Sequence, residues 1–494
     1  MNVEKFLQDK YNYNPEIKDN MKEAIVTWKS WYEGNVRKFH NYYIYQGKNR
    51  QKQHRYTLNM AKEVSEDWSD ILWSEKCVIS LKSEESQKKF EDLINELNLY
   101  VLINQAIEKS GALGTEAAVV SVYNLKQSED GAYLDTKDAK TRVDLVDVDW
   151  IFPLTWNAKG ITECAFGCVE YIKGDKYIIL SVHKKDERGI YHIYNHLLKE
   201  TEKTLTEVEN QKGTVADFNT QSDTKWFSIF KPLLTNNLYN NNPFGIPHFA
   251  NAIDNLKAVD MAFDALKNEV KDGRKRTFVR ADMLSVDADG TQKMTFDPED
   301  ITIYQLPDGA TKDDLIQSDT EELRTDKLIG TLNTELNLLG SKVGFGENHY
   351  HFDGTNLSTA TAVVSSNSKL FRRKKKLEIG YEDAIYDLTK AILYASSKYG
   401  SYKIKTNDED ISILFDDSII EDKDTEANRA MMEVSKKLLS RIEYRVKIFG
   451  ETEEIAKQKI KEIDKEEKEE NDKMMEEIGK KVKQETKGEE ADEE

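Results

Sequence analysis

Residues 242–276, NPFGIPHFANAIDNLKAVDMAFDALKNEVKDGRKR, decide how this chain is to be read. Pro247 suits a first helical turn, where its missing N–H is not needed. Ile253, Leu256, Val259, Phe263, Leu266 and Val270 then recur at three- and four-residue steps, one apolar stripe along a helix. Gly273 follows the last periodic residue and suits a left-handed helix end. About 26 residues at 1.5 Å each predict a helix of roughly 40 Å. Its other faces carry Asp254, Asp260, Asp264, Glu269 and Asp272 against Lys257, Lys267 and Lys271.

A partner helix is expected further on. Ser318-Asp319-Thr320-Glu321 has the spacing of a capping box, in which serine and glutamate satisfy each other's orphan backbone donors. Leu323, Leu328, Ile329, Leu332, Leu336 and Leu339 follow at helical steps, and Gly340 closes the run. Between the helices, FVRADMLSV, QKMTF and DITIYQL are strand-like runs separated by Asp289-Gly290, Asp297-Pro298 and Pro307-Asp308-Gly309. Two helices therefore leave a body and return to it, carrying a small β tip.

The 494 residues suffice for several domains, and a net charge of −19 makes the chain strongly acidic. Such acidity argues against a protein that grips nucleic acid through many phosphate contacts, which need Lys and Arg. Cys77, Cys164 and Cys168 make no disulfide framework and suit a reducing cytosol. The N-terminus has no signal-peptide pattern, and no apolar run is long enough for a membrane span. Cytoplasmic synthesis is expected.

Residues 15–109 have helical periodicity, with Trp28, Trp31, Tyr32, Phe39 and Trp68 expected in a core. From Gly111 the period changes to β-branched and aromatic runs, a mostly antiparallel β region ending at Trp226–Leu234. After the second helix, 340–356 has loop composition. A very long helix is expected over 357–399, then one strand at Ile411–Phe415 and an acidic turn. The tail from Glu451 has 18 acidic and 10 basic residues, and its end lacks apolar anchors.

No strong catalytic motif is present: no phosphate loop, no HExxH and no GxSxG. Cys164 and Cys168 on one strand would stand about 13 Å apart, too far for two ligands of one zinc, and are expected in the core. His183, His192 and His196 lie on nearby strands without a matched second pair. Glu347, His349 and His351 alternate along a loop, where a mobile polar segment is the simpler account. Arg372-Arg373-Lys374-Lys375-Lys376 sweeps the whole helix circumference and cannot form one basic stripe, so ion pairing with Glu378, Glu382 and subunit-interface carboxylates is expected. Arg274, Lys275, Arg276 and Arg280 either complement the C-terminal partial charge of the first helix or form a basic collar for an acidic partner. Asp416, Asp417, Glu421 and Asp424 would suit a metal-dependent hydrolase, although an acidic turn and helix start explains them more simply. No cofactor or metal is expected.

The order of these elements resembles the portal protein of tailed bacteriophages, of the type found in long-tailed phages of Gram-positive hosts. The resemblance covers nearly the whole chain. It is carried by INQAIEKSGALGTEAAVVSVY (103–123), NPFGIPHFANAIDNLKAVD (242–260), SKVGFGEN (341–348), NLSTATAVV (356–364), ISILFDDSIIEDKDTEA (411–427) and LLSRIEYRVKIFGETEEIAKQKI (438–460). It implies a mixed α+β fold. In that scheme 1–241 is a wing, helical and then antiparallel β, and 242–273 and 318–340 are two stem helices. The clip is 274–317 and the tunnel loop 341–356. A long wing helix and strand fill 357–425, and a helical crown with an acidic tail fills 426–494.

The same resemblance implies a non-enzymatic ring, twelve-fold in the virion, at one capsid vertex. Double-stranded DNA is packaged and ejected through it. The large terminase subunit docks on the clip and head–tail adaptors follow; major capsid and scaffolding proteins are further partners, and no membrane is involved. Expected site residues are Asp254, Asp260 and Glu269 lining an acidic channel, with the Ile253–Val270 stripe packed between subunits. Lys342, Asn348, His349 and His351 would face DNA from the tunnel loop, and Arg274, Lys275, Arg276 and Arg280 would form the partner-binding clip. A different head–tail structural or adaptor protein is the main alternative.

Overall fold

The computed structural model describes residues 3–465 and 468, except 47–48, 75, 125, 128–132, 135–138, 202–204, 211–213, 274–275, 281–302, 307–315, 320–321, 347–348, 352–359, 401, 405–409, 417–429, 437, 450 and 453–454. The chain divides into two compact units, Met1–Phe415 and Asp416–Glu494.

The first unit begins with α1 (Val3–Tyr11), α2 (Glu16–Tyr32) and α3 (Arg37–His40), then the ribbon β1 (Asn41–Gln46) and β2 (Asn49–His54). Next come α4 (Met60–Leu72), β3 (Val78–Leu81), α5 (Glu84–Leu97), α6 (Leu99–Leu113) and β4 (Glu116–Tyr123). The β region continues with β5 (Lys126–Gln127), β6 (Tyr133–Leu134), β7 (Lys140–Asp147), β8 (Ile151–Asn157), β9 (Gly160–Ile172), β10 (Asp175–Lys185) and β11 (Tyr191–Glu200). It ends with β12 (Leu205–Val208), β13 (Asp217–Asn219) and β14 (Phe227–Phe230). Then follow α7 (Ile253–Asp272), β15 (Arg276–Arg280), β16 (Ile303–Leu306), β17 (Ile316–Asp319), α8 (Thr325–Val343), α9 (Ala360–Tyr399) and β18 (Ile411–Leu414).

The largest sheet runs β12-β11-β10-β9-β8, with β13 also on β11, and all these pairings are antiparallel. Strand alternation sends Ile178, Leu180 and Val182 of β10 to one face, where α1 covers them with Phe6 and Leu7. The opposite face sends Cys164 and Phe166 of β9 and Ile193 of β11 into the main core. Cys168, expected in that core, is exposed instead. It lies where β9 runs on into exposed residues at its far end.

A second sheet, β14-β4-β7, lies against α9, a 40-residue helix about 60 Å long. Leu377, Tyr381, Ile385, Leu388 and Ile392 give α9 its buried stripe. Polar contacts also pin it: Ser228 donates to the Ala384 carbonyl at 2.6 Å, and the Thr141 and Ser396 hydroxyls meet at 2.8 Å. Beyond α9 the chain returns as β18, antiparallel to β3.

Four local expectations change. The apolar period does start a helix at Ile253, but 250–252 form a 3-10 turn, so α7 has 20 residues and not 26. Gly273 has φ −77°, not a left-handed end. A Cβ there would stand 2.0 Å from Cδ2 of the partly exposed Leu323 side chain, whose end would have to move aside. The capping box does not form: Ser318 and Asp319 belong to β17, paired with β15, and α8 starts at Thr325 without a side-chain cap. Its end lies at Gly344, φ +107°, and not at Gly340.

In the second unit, α10 (Arg441–Phe449) does have a capping box. The Ser440 amide donates to Glu443 at 2.8 Å, and the Glu443 amide donates to Ser440 Oγ at 3.1 Å.

Candidate functional site

The α7/α8 pair is the element from which the site is built. Leu256, Val259 and Leu266 of α7 and Leu332, Leu336 and Leu339 of α8 are buried in one core. The stripe expected between subunits is thus largely used inside the chain. Val270 and Met261 remain exposed.

The acidic faces of α7 separate into two kinds. The Asp254 side chain is 93% exposed and, among the described residues, pairs with Lys257 at 2.9 Å. Asp260, expected to line a channel, is 1% exposed and turned into the protein. Its Oδ2 lies 3.1 Å from His40 Nε2, while Oδ1 accepts from Thr57 Oγ1 and the Leu58 amide, both at 3.0 Å. Asp264, also buried, accepts from the Tyr56 amide at 3.1 Å. These carboxylates hold segment 55–58 onto α7 and present no charge to solvent. His40 is the missed residue here; some two hundred residues separate it from its partner.

Glu269 forms a clamp. Arg324 reaches it with Nε at 3.1 Å, Nη2 at 2.7 Å and its backbone amide at 3.0 Å. The Arg324 hydrogen bonds hold the Glu269 carboxyl down to about 2. Together with Gly273 against Leu323, the clamp joins the end of α7 to the start of α8 at the root of the β tip. Within the tip, β15 is parallel to β16 and antiparallel to β17. Arg276 and Arg280 lie on β15, whereas Arg274 and Lys275 lie outside the described residues, as does QKMTF.

At the other end of α8 four rings stack. His248 lies over Trp68 (5.4 Å, 29°), Trp68 over Phe345 (4.6 Å, 21°) and Phe345 over His349 (4.2 Å, 3°). Tyr350 meets Phe345 and His349 edge-on, and donates to Asp67 Oδ2 at 2.7 Å. His349 Nε2 lies 3.4 Å from the same oxygen. A Cβ on Gly344 would press on Arg373 Cγ at 2.9 Å and Trp68 Cζ2 at 3.3 Å, which, with its positive φ, fixes glycine there. Burial and nearby Arg373 push the His248 imidazole down to about 3.

The residues expected in the tunnel loop therefore differ in role. Lys342 is exposed in the last turn of α8, His349 belongs to the stack, and His351 is half-buried. Asn348 and Glu347 lie outside the described residues. Phe345, a large apolar residue between two glycines in a polar stretch, was the sequence signal for the stack.

Two cations of the basic run of α9 pair with Glu378, one of the carboxylates expected. Lys374 is buried and paired with Glu378 at 2.5 Å, and Lys375 reaches the same carboxylate at 3.5 Å. Among the described residues no group of three or more His, Cys, Asp or Glu is arranged to hold a metal. Asp417, Glu421 and Asp424 lie outside them. His183 is fully buried and edge-on to Phe166 and Phe227, and burial pushes it down to about 3.

The family model for phage portal proteins of the SPP1 Gp6-like kind matches residues 12–473. The chain belongs to this portal family. The match spans both compact units, and the mixed helix-and-strand fold described above is consistent with it. No curated protein matches the chain. Portal proteins are structural, and their family implies an oligomeric ring associated with a phage capsid and its DNA. Among the described residues of this portal chain no helix is long and apolar enough to cross a membrane.

Proposed function

We propose that the chain forms a ring, of about a dozen copies, at one capsid vertex, through which double-stranded DNA is packaged and later ejected. The family match over nearly the whole chain carries this reading. The paired helices α7 and α8 act as the stem, 274–317 as the clip, 341–356 as the tunnel loop, and the segment from 426 as the crown. The virion is that of a long-tailed phage of a Gram-positive host, with assembly in the host cytoplasm. Arg274, Lys275, Arg276 and Arg280 give the clip a basic collar for the terminase large subunit and later for a head–tail adaptor. Capsid and scaffolding proteins surround the ring.

A conduit works best when it does not hold phosphates, since many Lys contacts would trap DNA in a deep electrostatic well. The net charge of −19, multiplied over a ring, meets that need. Asp254, solvent-facing, serves as a channel acid; Asp260 does not, because it is spent on His40. Lys342, Asn348 and His351 supply the weak contacts to DNA, with His349 holding the loop root. The test is DNA uptake by capsids assembled with and without the chain, given terminase and ATP. Uptake that requires the chain, and that slows with Asp254→Lys while rings persist, supports the conduit. Equal uptake without it removes the function, and unchanged uptake with D254K removes Asp254 from the channel.

A further inference from the structure

Between Glu33 and Glu63 the chain has no acidic residue and seven Lys or Arg, in a protein that is elsewhere strongly acidic. The centre of this segment is the β1–β2 ribbon, YYIYQGKNRQKQH (42–54), whose strands pair only with each other among the described sheets. Its register places Tyr43 opposite Lys52, Tyr45 opposite Arg50 and Asn41 opposite His54. Side chains alternate across a strand, so Asn41, Tyr43, Arg50, Lys52 and His54 share one face. Tyr42, Ile44, Gln51 and Gln53 share the other.

The second face is seated on the protein at Tyr42, whereas Gln51 is exposed. Arg55, next to the ribbon, lies over Phe39 at 4.3 Å and Tyr42 at 5.0 Å, and reaches Asp264 of α7 at 3.8 Å. Just before the ribbon, His40 is locked to Asp260. The first face points to solvent: Tyr43 is 48% exposed, and Arg50, Lys52 and His54 are exposed. The Arg50 guanidinium lies 3.6 Å from the centre of the Tyr43 ring, a flat cation–aromatic pair. Among the described residues neither Arg50 nor Lys52 is ion-paired to a carboxylate.

We propose that this face, Tyr43, Arg50, Lys52 and His54, binds the sugar–phosphate backbone of duplex DNA. Cations at every second residue recur at about 6.7 Å along a strand, a regular row suited to a regular polyanion. A two-stranded ribbon has the width the major groove admits, about 12 Å. Basic residues interleaved with an exposed aromatic, and free of carboxylates, form the electrostatic footprint of nucleic-acid contact. The site holds DNA weakly and without sequence preference, because two permanent cations neutralise about two phosphates. It rests on the reading that this chain handles duplex DNA, and adds a contact away from the stem acids and the tunnel loop.

The test uses the full chain and a labelled duplex of about 30 base pairs, with anisotropy followed from 25 to 300 mM NaCl. Loss of two phosphate contacts makes the slope of log K against log salt shallower by about 1.8. Arg50→Glu/Lys52→Glu is therefore expected to weaken binding at least tenfold at low salt and flatten that slope. Lys82→Glu/Lys88→Glu, an equal charge change on another surface, leaves both nearly unchanged. Equal effects of the two pairs would overturn the site. Native mass on the same samples provides a second arm: if R50E/K52E breaks the oligomer while DNA binding persists, the face contacts a second copy and the proposal fails. Wild-type chain that binds DNA through Arg50 and Lys52 without forming rings would leave the ribbon site standing and sink the conduit; rings with no dependence on these residues would do the reverse.

Discussion

The two ends of α8 are held by opposite kinds of chemistry. Its start is tied to α7 by Arg324 and Glu269, where the Arg324 side chain is 71% exposed. Its end is tied to α4 and the α7 approach by His248, Trp68, Phe345 and His349, with Trp68 fully buried. A solvated ion pair is worth little and is screened by salt, whereas removing a buried ring loses transfer energy and leaves a cavity. The junction of α7 and α8 at the β tip is thus adjustable by ionic conditions, and the ring-stacked end of α8 is not.

The largest effect is expected at the ring-stacked end. Trp68→Ala removes the middle of the stack and should cost about 3–5 kcal/mol in urea unfolding, with altered protection of the Phe345–His351 segment in hydrogen exchange. A loss no greater than that of an exposed aromatic would break the contrast.

Acid comes next. His248 sits at about 3 when folded against 6.5 when unfolded. Its depressed pKa means that the unfolded chain takes up the proton first. Stability should be intact above pH 6.5 and fall through the window down to about 3, at up to about 1.4 kcal/mol per pH unit. His183 adds a parallel dependence for the same reason. Melting curves from pH 7 to 4 should show H248Q with a shallower fall than wild type.

Gly344→Ala should cost about 1–3 kcal/mol, from the positive φ and the clash with Arg373 and Trp68. The smallest effect is at the charged end. Arg324→Ala should loosen the β15–β17 strands in hydrogen exchange with a slight change in melting, and the difference should shrink toward 1 M salt. Glu269, at about 2 when folded, contributes fully above its ordinary 4.5. Its contribution is lost as pH falls toward 2, so wild type and R324A should converge over that window.

What could be read in the sequence follows the range of the interaction that decides it. The long helix α9 and the alternating strands β9–β11 were legible because one buried face imposes a period over many residues. The start of α8 was not: Ser318-Asp319-Thr320-Glu321 satisfies a local capping pattern, but pairing of β17 with β15 overrides it. Gly273 marked the right place, the end of α7, by the wrong mechanism, since its φ of −77° is not left-handed. Asp260 counted as one more acid on an acid-rich helix; His40 and Thr57, which bury it, are far away in sequence. The aromatic stack was not read from the sequence. Phe345 stands out in a polar stretch, yet nothing local joins it to Trp68 and His248.

The central claim, a ring conduit built on α7 and α8, is tested most directly by electron microscopy of the purified chain combined with native mass. A closed ring of about a dozen copies with a central opening is the expected result. A chain that stays monomeric or dimeric when concentrated and supplied with scaffolding protein would contradict it.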